Sequence, residues 1–170
     1  MNCNGLRHGQ RSSKCHTCVT NPQCQRNLFI QAITIRQIAA LPYRLDTDGN
    51  PQSLVILLVT SRDTGRWVLP KGNVKRHEDP RTAALREAAE EAGVWGVVAA
   101  EPIGDYRYAK RHDDGTSTSM TVSVWPMRVD AVGDDWPEGD VRTRAWFSPA
   151  DAAMAVDEKS LKKLLLRFRA

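Results

Sequence analysis

Residues 72–94 read GNVKRHEDPRTAALREAAEEAGV, and no other stretch limits the fold so tightly. Asp79 is a favoured N-cap, and Pro80 suits the first helical position, where no backbone N–H is needed. Gly93 can take the left-handed conformation that stops a helix. The spacing predicts a helix of about four turns between them. At about 100° per residue, Glu87, Glu90 and Glu91 fall within about 100° of one another. Leu85, Ala88, Ala89 and Ala92 are expected on the opposite side, facing a core. Ala83 is expected among the acids, leaving room for ions. Arg86 stands one turn before Glu90, at the i,i+4 spacing of an ion pair.

A solvated helix laced with charge is the ordinary meaning of such a run, but it accounts poorly for this one. The three glutamates repel one another, and like charges at i,i+4 cost about 0.2–0.5 kcal/mol per pair unless a cation lies between them. Clustered carboxylates are what hard divalent cations bind. A diphosphate is a poor electrophile because its oxygens repel a nucleophile. Divalent ions neutralise those oxygens and lower the pKa of a bound water, and a carboxylate without full metal duty can take the water's proton. Glu90 and Glu91 are both candidates for that base, and the sequence does not choose between them. Asp113, Asp114, Asp134, Asp135 and Glu138, on expected loops, read first as solvated turn residues.

The fixed positions Gly72, Glu78, Arg86, Glu87, Glu90, Glu91 and Gly93 form the pattern G-x5-E-x7-R-E-x2-E-E-x-G, which resembles the Nudix box. Ala88 stands where a larger aliphatic is often found. The preceding Trp67-Val68-Leu69-Pro70-Lys71-Gly72 resembles a Nudix entry, a strand leading into the loop before the helix. The resemblance implies hydrolysis of a diphosphate linked to another moiety, with magnesium or manganese. It implies that Glu87, Glu90 and Glu91 bind the metal and that a backbone carbonyl of Lys71 or Gly72 adds a ligand. Arg86 and Glu78 would orient the acids. The implied fold is α/β (α+β), a mixed β-sheet sandwiched between helices.

At 170 residues, 41% hydrophobic and 26% charged, the chain has the make-up of one ordinary folded domain. No apolar run approaches the roughly 20 residues of a membrane span, and the first residues form no apolar signal core. A cytoplasmic location without a membrane partner is expected. The formal charge of +4 is unevenly placed. Four of the 24 basic residues and none of the 20 acidic ones lie in residues 1–27, which leaves 20 of each beyond. The pI near 9.0 therefore belongs to that segment and disfavours a nucleic-acid partner for the rest. Cys3, Cys15, Cys18 and Cys24 all fall there too. Cys15-His16-Thr17-Cys18 has a knuckle spacing, but Cys3 is remote from any pair. The stretch reads first as a polar extension over 1–28 with reduced thiols, and an upstream start codon would look the same. The catalytic domain is expected over 29–170.

Strand signals run from Ile30 to Tyr43, and Asp48-Gly49-Asn50-Pro51 marks a turn. Leu54 to Thr60 is almost continuously apolar and is expected to be covered on both faces. Trp67 to Leu69 is a short strand entering the box. Val97 to Ala109 reads as strand interrupted near Pro102 and Gly104. Asp113-Asp114-Gly115 makes a hairpin turn into a strand from Thr118 to Val129, and Arg144 to Phe147 is the last strand. Ser148 caps a helix over Pro149–Ala155. Another starts at Asp157 and carries Leu161, Leu164, Leu165 and Phe168 on one face, opposite Lys162, Lys163, Arg167 and Arg169. Strands with helices between and after them imply layers around one sheet.

Asp135-Trp136-Pro137-Glu138, then Arg142-Thr143-Arg144-Ala145-Trp146-Phe147 and Asp151-Ala152-Ala153, resemble the C-terminal half of diphosphoinositol polyphosphate phosphohydrolases and their bacterial relatives. That branch also acts on diadenosine polyphosphates. A small, phosphate-rich substrate is the implied partner. Lys71, Arg76, Arg107, Lys110, Arg111 and His112 are the candidate substrate-binding residues, with Arg142 and Arg144 adding to them, because arginine engages phosphate bidentately. The runner-up substrate is a nucleotide, with Trp67, Tyr106, Tyr108 and Trp136 as stacking candidates. Core packing is the first reading for Trp67 and Trp146. A non-catalytic nucleotide sensor is the alternative class, and an intact box argues against it. Removal of pyrophosphate from RNA 5′ ends ranks third. The sequence leaves the oligomeric state open.

Overall fold

Alternation along two buried strands organises the molecule. In strand β1 (Ile35–Asp46), Ala39 and Leu41 point to one core while Ile38 and Ala40 point to another. In β2 (Ser53–Thr60), Ile56 and Leu58 join the first core, and Leu57 and Val59 the second. Successive strand side chains take opposite faces, so the apolar run expected to be covered on both sides is covered on both sides. Residues 56–59 are fully buried. The computed structural model describes residues 35–46 and 53–170. The cysteine-bearing segment, the strand signals from Ile30 to Thr34 and the turn at 48–51 lie outside the described residues.

The remaining elements are β3 (Trp67–Val68), β4 (Lys71–Asn73), α1 (Pro80–Ala92), β5 (Val94–Val98), β6 (Gly104–Arg111), β7 (Ser117–Val132), β8 (Arg144–Phe147), α2 (Pro149–Ala155) and α3 (Lys159–Arg167). They make a mixed sheet in the order β3-β2-β1-β7-β5, with β4 also on β1, β6 on β7 and β8 on β2. β1 and β7 pair in parallel, and the other pairs are antiparallel. Helices α2 and α3 cover the first core through Ala152, Ala153, Leu161 and Leu165. Helix α1 covers the second with Ala83, Ala84, Ala88 and Ala92. The sheet thus lies between helices, as expected. Truncating a core residue such as Leu58, fully buried, costs about 2–5 kcal/mol.

The ends of α1 follow its sequence signals. Asp79 accepts hydrogen bonds from the Arg81 and Thr82 amides, Pro80 opens the helix, and Gly93 closes it at φ 61°. The core-facing side differs from the expected one. Ala83 is fully buried in the apolar core rather than beside the ions, and Leu85 is 37% exposed. Glu87 and Glu91 are both buried instead. Four small alanines let the helix lie close to the sheet, and this closeness carries the two acids beneath the surface. The chain also turns into a strand directly at Val94, three residues before the expected start. Left-handed Gly93 reverses it onto the end of β7.

Candidate active site

The acid face of α1 meets the loop before it. At Gly72, on β4, an added Cβ would stand 2.1 Å from the Glu87 Oε1 atom. Any side chain there would occupy the place of the carboxylate, which accounts for the glycine. The neighbouring Lys71 amide donates to Glu91 Oε2 at 3.0 Å. Loop and helix are therefore joined at two of the three glutamates.

Arg86 collects the acids at the entry end. Its Nε donates to Glu78 Oε1 at 2.9 Å and one terminal nitrogen to Glu78 Oε2 at 3.1 Å. The other donates to Glu87 Oε1 at 2.6 Å and Glu90 Oε2 at 3.1 Å. The guanidinium also reaches the Asn73 carbonyl at 3.1 Å. Its bond to the Glu78 carboxylate, with the Lys75 amide next, holds Glu78 down at about 2. Burial pushes Glu87 up, against the pull of Arg86.

A second arginine holds the other end. Arg142, itself buried, donates to Glu91 Oε1, to Glu138 Oε2 and, at 2.7 Å, to the Thr60 carbonyl. Burial raises Glu91 to about 7, with Arg142 the largest opposing influence. Glu138 is thus a partner of Arg142 and not a solvated turn residue, and its amide bonds the Glu90 carbonyl at 3.2 Å.

Arg144 and Trp136 also depart from the sequence reading. Trp136 Nε1 donates to the Glu91 carbonyl at 3.2 Å. Arg144 donates to the Ala92 carbonyl at 2.7 Å and to Gly133 and Gly93, and its guanidinium lies 4.0 Å over the Trp136 ring. Together they satisfy the carbonyls that every helix C-terminus leaves unpaired, and the cation complements the helix dipole. Neither is available to a substrate in this arrangement. The side chains of both sit where a Cβ on Gly93 would clash, at 2.7–2.8 Å.

A cleft of about 780 Å³ opens over Glu91. Lys71, Lys110 and Arg111 line it, as do Arg62, Arg142, Tyr108 and Glu158. Among the described residues, Lys71, Lys110 and Arg111 form none of the ion pairs. Lys71 extends its ammonium 5.3 Å from the centre of the Tyr108 ring, and burial lowers its pKa. The other expected substrate contacts are elsewhere. Arg107 alternates away from Tyr106 and Tyr108 along β6 and, like Arg76, is exposed outside this cleft. His112 bonds Thr118 Oγ1 at 2.8 Å in the hairpin. Of the stacking candidates, Tyr106 is fully buried and Trp67 packs edge-on against Phe147. Only half-buried Tyr108 reaches the cleft. Sequence reasoning passed over Arg62 and Glu158, which lie in a turn and at a helix start and carry no spacing signal.

Among the described residues, no three His, Cys, Asp or Glu side chains converge as a ready ion cage. Each acid of α1 is turned to an arginine. The donor set is nonetheless that of a hard cation: three carboxylates on one helix against the backbone of a glycine loop. Among the described residues no helix is long and apolar enough to cross a membrane.

A carboxylate-bearing helix fed by a glycine loop, on a mixed sheet between helices, defines a class of diphosphate hydrolases. Residues 35–168 match the NUDIX domain model, and the chain belongs to the Nudix family. It is 31% identical over 135 residues to Nudix hydrolase 16, mitochondrial, of Arabidopsis thaliana, covering 74% of each chain. It is also 31% identical over 119 residues to diphosphoinositol polyphosphate phosphohydrolase 3-beta of Bos taurus, covering 69% of this chain and 66% of that one. Among solved structures, a C. elegans Ap4A hydrolase shares the fold with a TM-score of 0.56 at 21% identity, over 79% of this chain and 95% of the other. The chain is a hydrolase acting on pyrophosphate bonds. Its family generally uses divalent metals such as Mg2+ or Mn2+.

Proposed function

We propose that this enzyme is a metal-dependent hydrolase of phosphoanhydride bonds in a polyphosphate of diphosphoinositol or diadenosine type. The observation that carries the reading is the cleft that Lys71, Lys110 and Arg111 line together with Glu91. Three cations that form no ion pair among the described residues, in one cleft with a buried carboxylate, suit a ligand with several phosphates. The names of the bovine and nematode proteins point the same way.

Glu87, Glu90 and Glu91, with a carbonyl oxygen of Lys71 or Gly72, would hold the metal. When bound, it supplies charge neutralisation at the phosphate oxygens and an acidified water. The chain's own residues do the rest. Glu91 is the one glutamate of the three that lines the cleft, so of the two base candidates it is the better placed to accept the water's proton. The Lys71 amide and Arg142 engage one lone pair on each of its oxygens, and a carboxylate has about four. Burial raises it to about 7 in the metal-free chain, and a bound divalent cation would pull it back down. Arg86 and Glu78 hold Glu87 and Glu90 in register. Lys71, Lys110 and Arg111 bind the phosphates, and Arg142 fixes Glu91 rather than the substrate.

A plain nucleoside triphosphate is the second reading, favoured by the ring of Tyr108 in the cleft. Assay of inositol pyrophosphates, diadenosine polyphosphates and nucleotides with magnesium tests the proposal. Preference for the first two classes supports it, and preference for simple nucleotides replaces it with the second reading. Ligand binding without phosphate release from any of them would make the protein a sensor instead.

A further inference from the structure

Glu158 and exposed Asp63 are the carboxylates of the cleft that no interaction described so far uses, and Glu158 is the enclosed one. It holds the N-cap position of α3 and makes no side-chain capping bond, glutamate not being among the residues that favour that role. Its side chain turns instead into the cleft and is only 9% exposed. Its one ion pair among the described residues is a long contact of 3.8 Å with Arg66. That guanidinium is already engaged by Asp157 at 3.0 Å and Thr64 at 3.1 Å. Among the described residues, no donor hydrogen-bonds the Glu158 carboxylate. A buried carboxylate left so poorly satisfied costs stability.

Its surroundings differ from the rest of the cleft. Lys110, Arg111 and Arg62 supply cations elsewhere along the lining, whereas the neighbourhood of Glu158 adds to Arg66 and Lys71 an aromatic hydroxyl and an amide, Tyr108 and Gln37, joined by a 2.8 Å bond from the Tyr108 hydroxyl. Burial, and next the charge of Glu158, pushes that hydroxyl up. Glu158 itself offers a phosphate nothing, because an ionised carboxylate only accepts hydrogen bonds. A ligand segment carrying hydroxyl or amine donors beside a flat ring would be held. A nucleoside has both: the ribose diol or an exocyclic amine for the carboxylate, and a base for the Tyr108 ring. An inositol ring phosphorylated at every carbon has neither.

We propose that Glu158 reads the nucleoside end of the substrate and makes the enzyme select nucleoside polyphosphates over fully phosphorylated inositols. This rests on the polyphosphate reading of the same cleft. A site that hydrogen-bonds a donor rejects analogues lacking it far more strongly than a merely apolar pocket does.

The test compares kcat and KM for diadenosine tetraphosphate and for diphosphoinositol pentakisphosphate in wild type, Glu158→Gln and Asp157→Asn. Glutamine keeps the shape and removes the charge. It should raise KM for the dinucleotide about tenfold to a hundredfold, the worth of one hydrogen bond to a charged group. KM for the inositol substrate should stay level or fall. Asp157→Asn weakens the Arg66 anchor alone and should leave the ratio between substrates at the wild-type value. Equal changes for both substrates in Glu158→Gln, or a change confined to kcat, overturns the inference. So does a wild-type enzyme that takes the inositol pyrophosphate and refuses the dinucleotide. If the wild type hydrolyses neither class, the polyphosphate reading itself falls. Wild-type activity on both with an unmoved ratio in Glu158→Gln sinks only the role of Glu158.

Discussion

Arg86 and Arg142 each hold acids of the same helix, yet they reach it by different routes. Arg86 belongs to α1 and binds Glu78, Glu87 and Glu90, all within twelve residues of one another. Arg142 arrives from 51 residues away, binds Glu91 and Glu138, and is itself anchored to β2. The first hub borders solvent at one of its acids, with the Glu90 side chain 42% exposed but Glu78 at 11% and Glu87 at 10%. The second is more enclosed, with Arg142 at 6% and Glu91 at 10%, and opens only at the cleft and at Glu138, 22% exposed. The same pairing chemistry therefore works at two dielectrics. Exposed pairs contribute about 0–1 kcal/mol, whereas breaking a sealed pair strands a charge. The local hub orders acids for an ion, and the distant hub fixes one acid against the substrate cleft.

The largest effect that divides the hubs concerns the base. Glu91→Gln should lower kcat with magnesium by about two to four decades, the range for a lost acid–base or metal contact. Glu90→Gln should also lose activity, but through metal affinity that added magnesium partly restores. Steady-state rates across a magnesium titration separate the two. Recovery of Glu91→Gln by magnesium, with none for Glu90→Gln, would exchange their roles.

Stability should divide the hubs next. Arg142→Met leaves Glu91 buried without its cation and should cost about 3–5 kcal/mol in urea unfolding. Adding Glu91→Gln should recover part of that loss. Arg86→Met strands Glu87 but should cost less, because water can reach Glu90 and Glu78 keeps the Lys75 amide. A loss for Arg86→Met as large as that for Arg142→Met would show that the entry hub is as enclosed as the other.

The same contrast explains what was readable in the sequence. The cap residues, the length of α1 and the entry hub follow from spacing within one helix, where periodicity fixes which residues meet. Strands β2, β7 and β8 and helix α2 were legible from apolar pattern and turn residues. Arg142 and Arg144 were read as substrate donors because in a linear chain a base beside a strand has no visible partner. Only the folded sheet brings Arg142 to Glu91 and Arg144 to the last carbonyls of α1. Leu85 and Ala83 were misplaced for a related reason. Hydrophobicity alone puts leucine inside, but four alanines and a glycine loop let the sheet draw the Glu87–Glu91 side of the helix inward. Glu158 carries no motif, since its meaning lies in a cleft built from six separate segments.

A smaller difference should appear as opposite pH responses of stability in chelator-treated protein. The folded-state pKa of Glu91 is raised from 4.5 to about 7. Its contribution is full below pH 4.5 and is lost as pH rises through 7, at no more than about 1.4 kcal/mol per pH unit. The pKa of Glu78 is lowered from 4.5 to about 2, so its contribution is present above pH 4.5 and lost as pH falls towards 2. Urea midpoints should flatten between pH 5 and 7 in Glu91→Gln and below pH 4.5 in Glu78→Gln. Identical profiles for the two variants would mean that burial does not distinguish the hubs.

The smallest expected effect asks whether the cleft beside the more enclosed hub is where phosphates are read. Lys110 and Arg111 are exposed at the end of β6, on the lining of the cleft over Glu91 and away from Arg86. An exposed charge contact is worth about 0.2–1 kcal/mol, so Lys110→Glu with Arg111→Glu should raise KM for a polyphosphate about tenfold. Because they bind ground and transition states alike, kcat should hardly change. The effect should shrink with added salt, since such charges are screened within about 8 Å at physiological ionic strength. A nucleoside diphosphate sugar, with fewer phosphates to reach β6, should feel the reversal less. The measurement is KM for diadenosine hexaphosphate in wild type and double variant at two salt concentrations. Equal KM values would take β6 out of the site and leave Lys71 as the remaining unpaired cation of the cleft, a set too small for a polyphosphate and suited to a plain nucleotide.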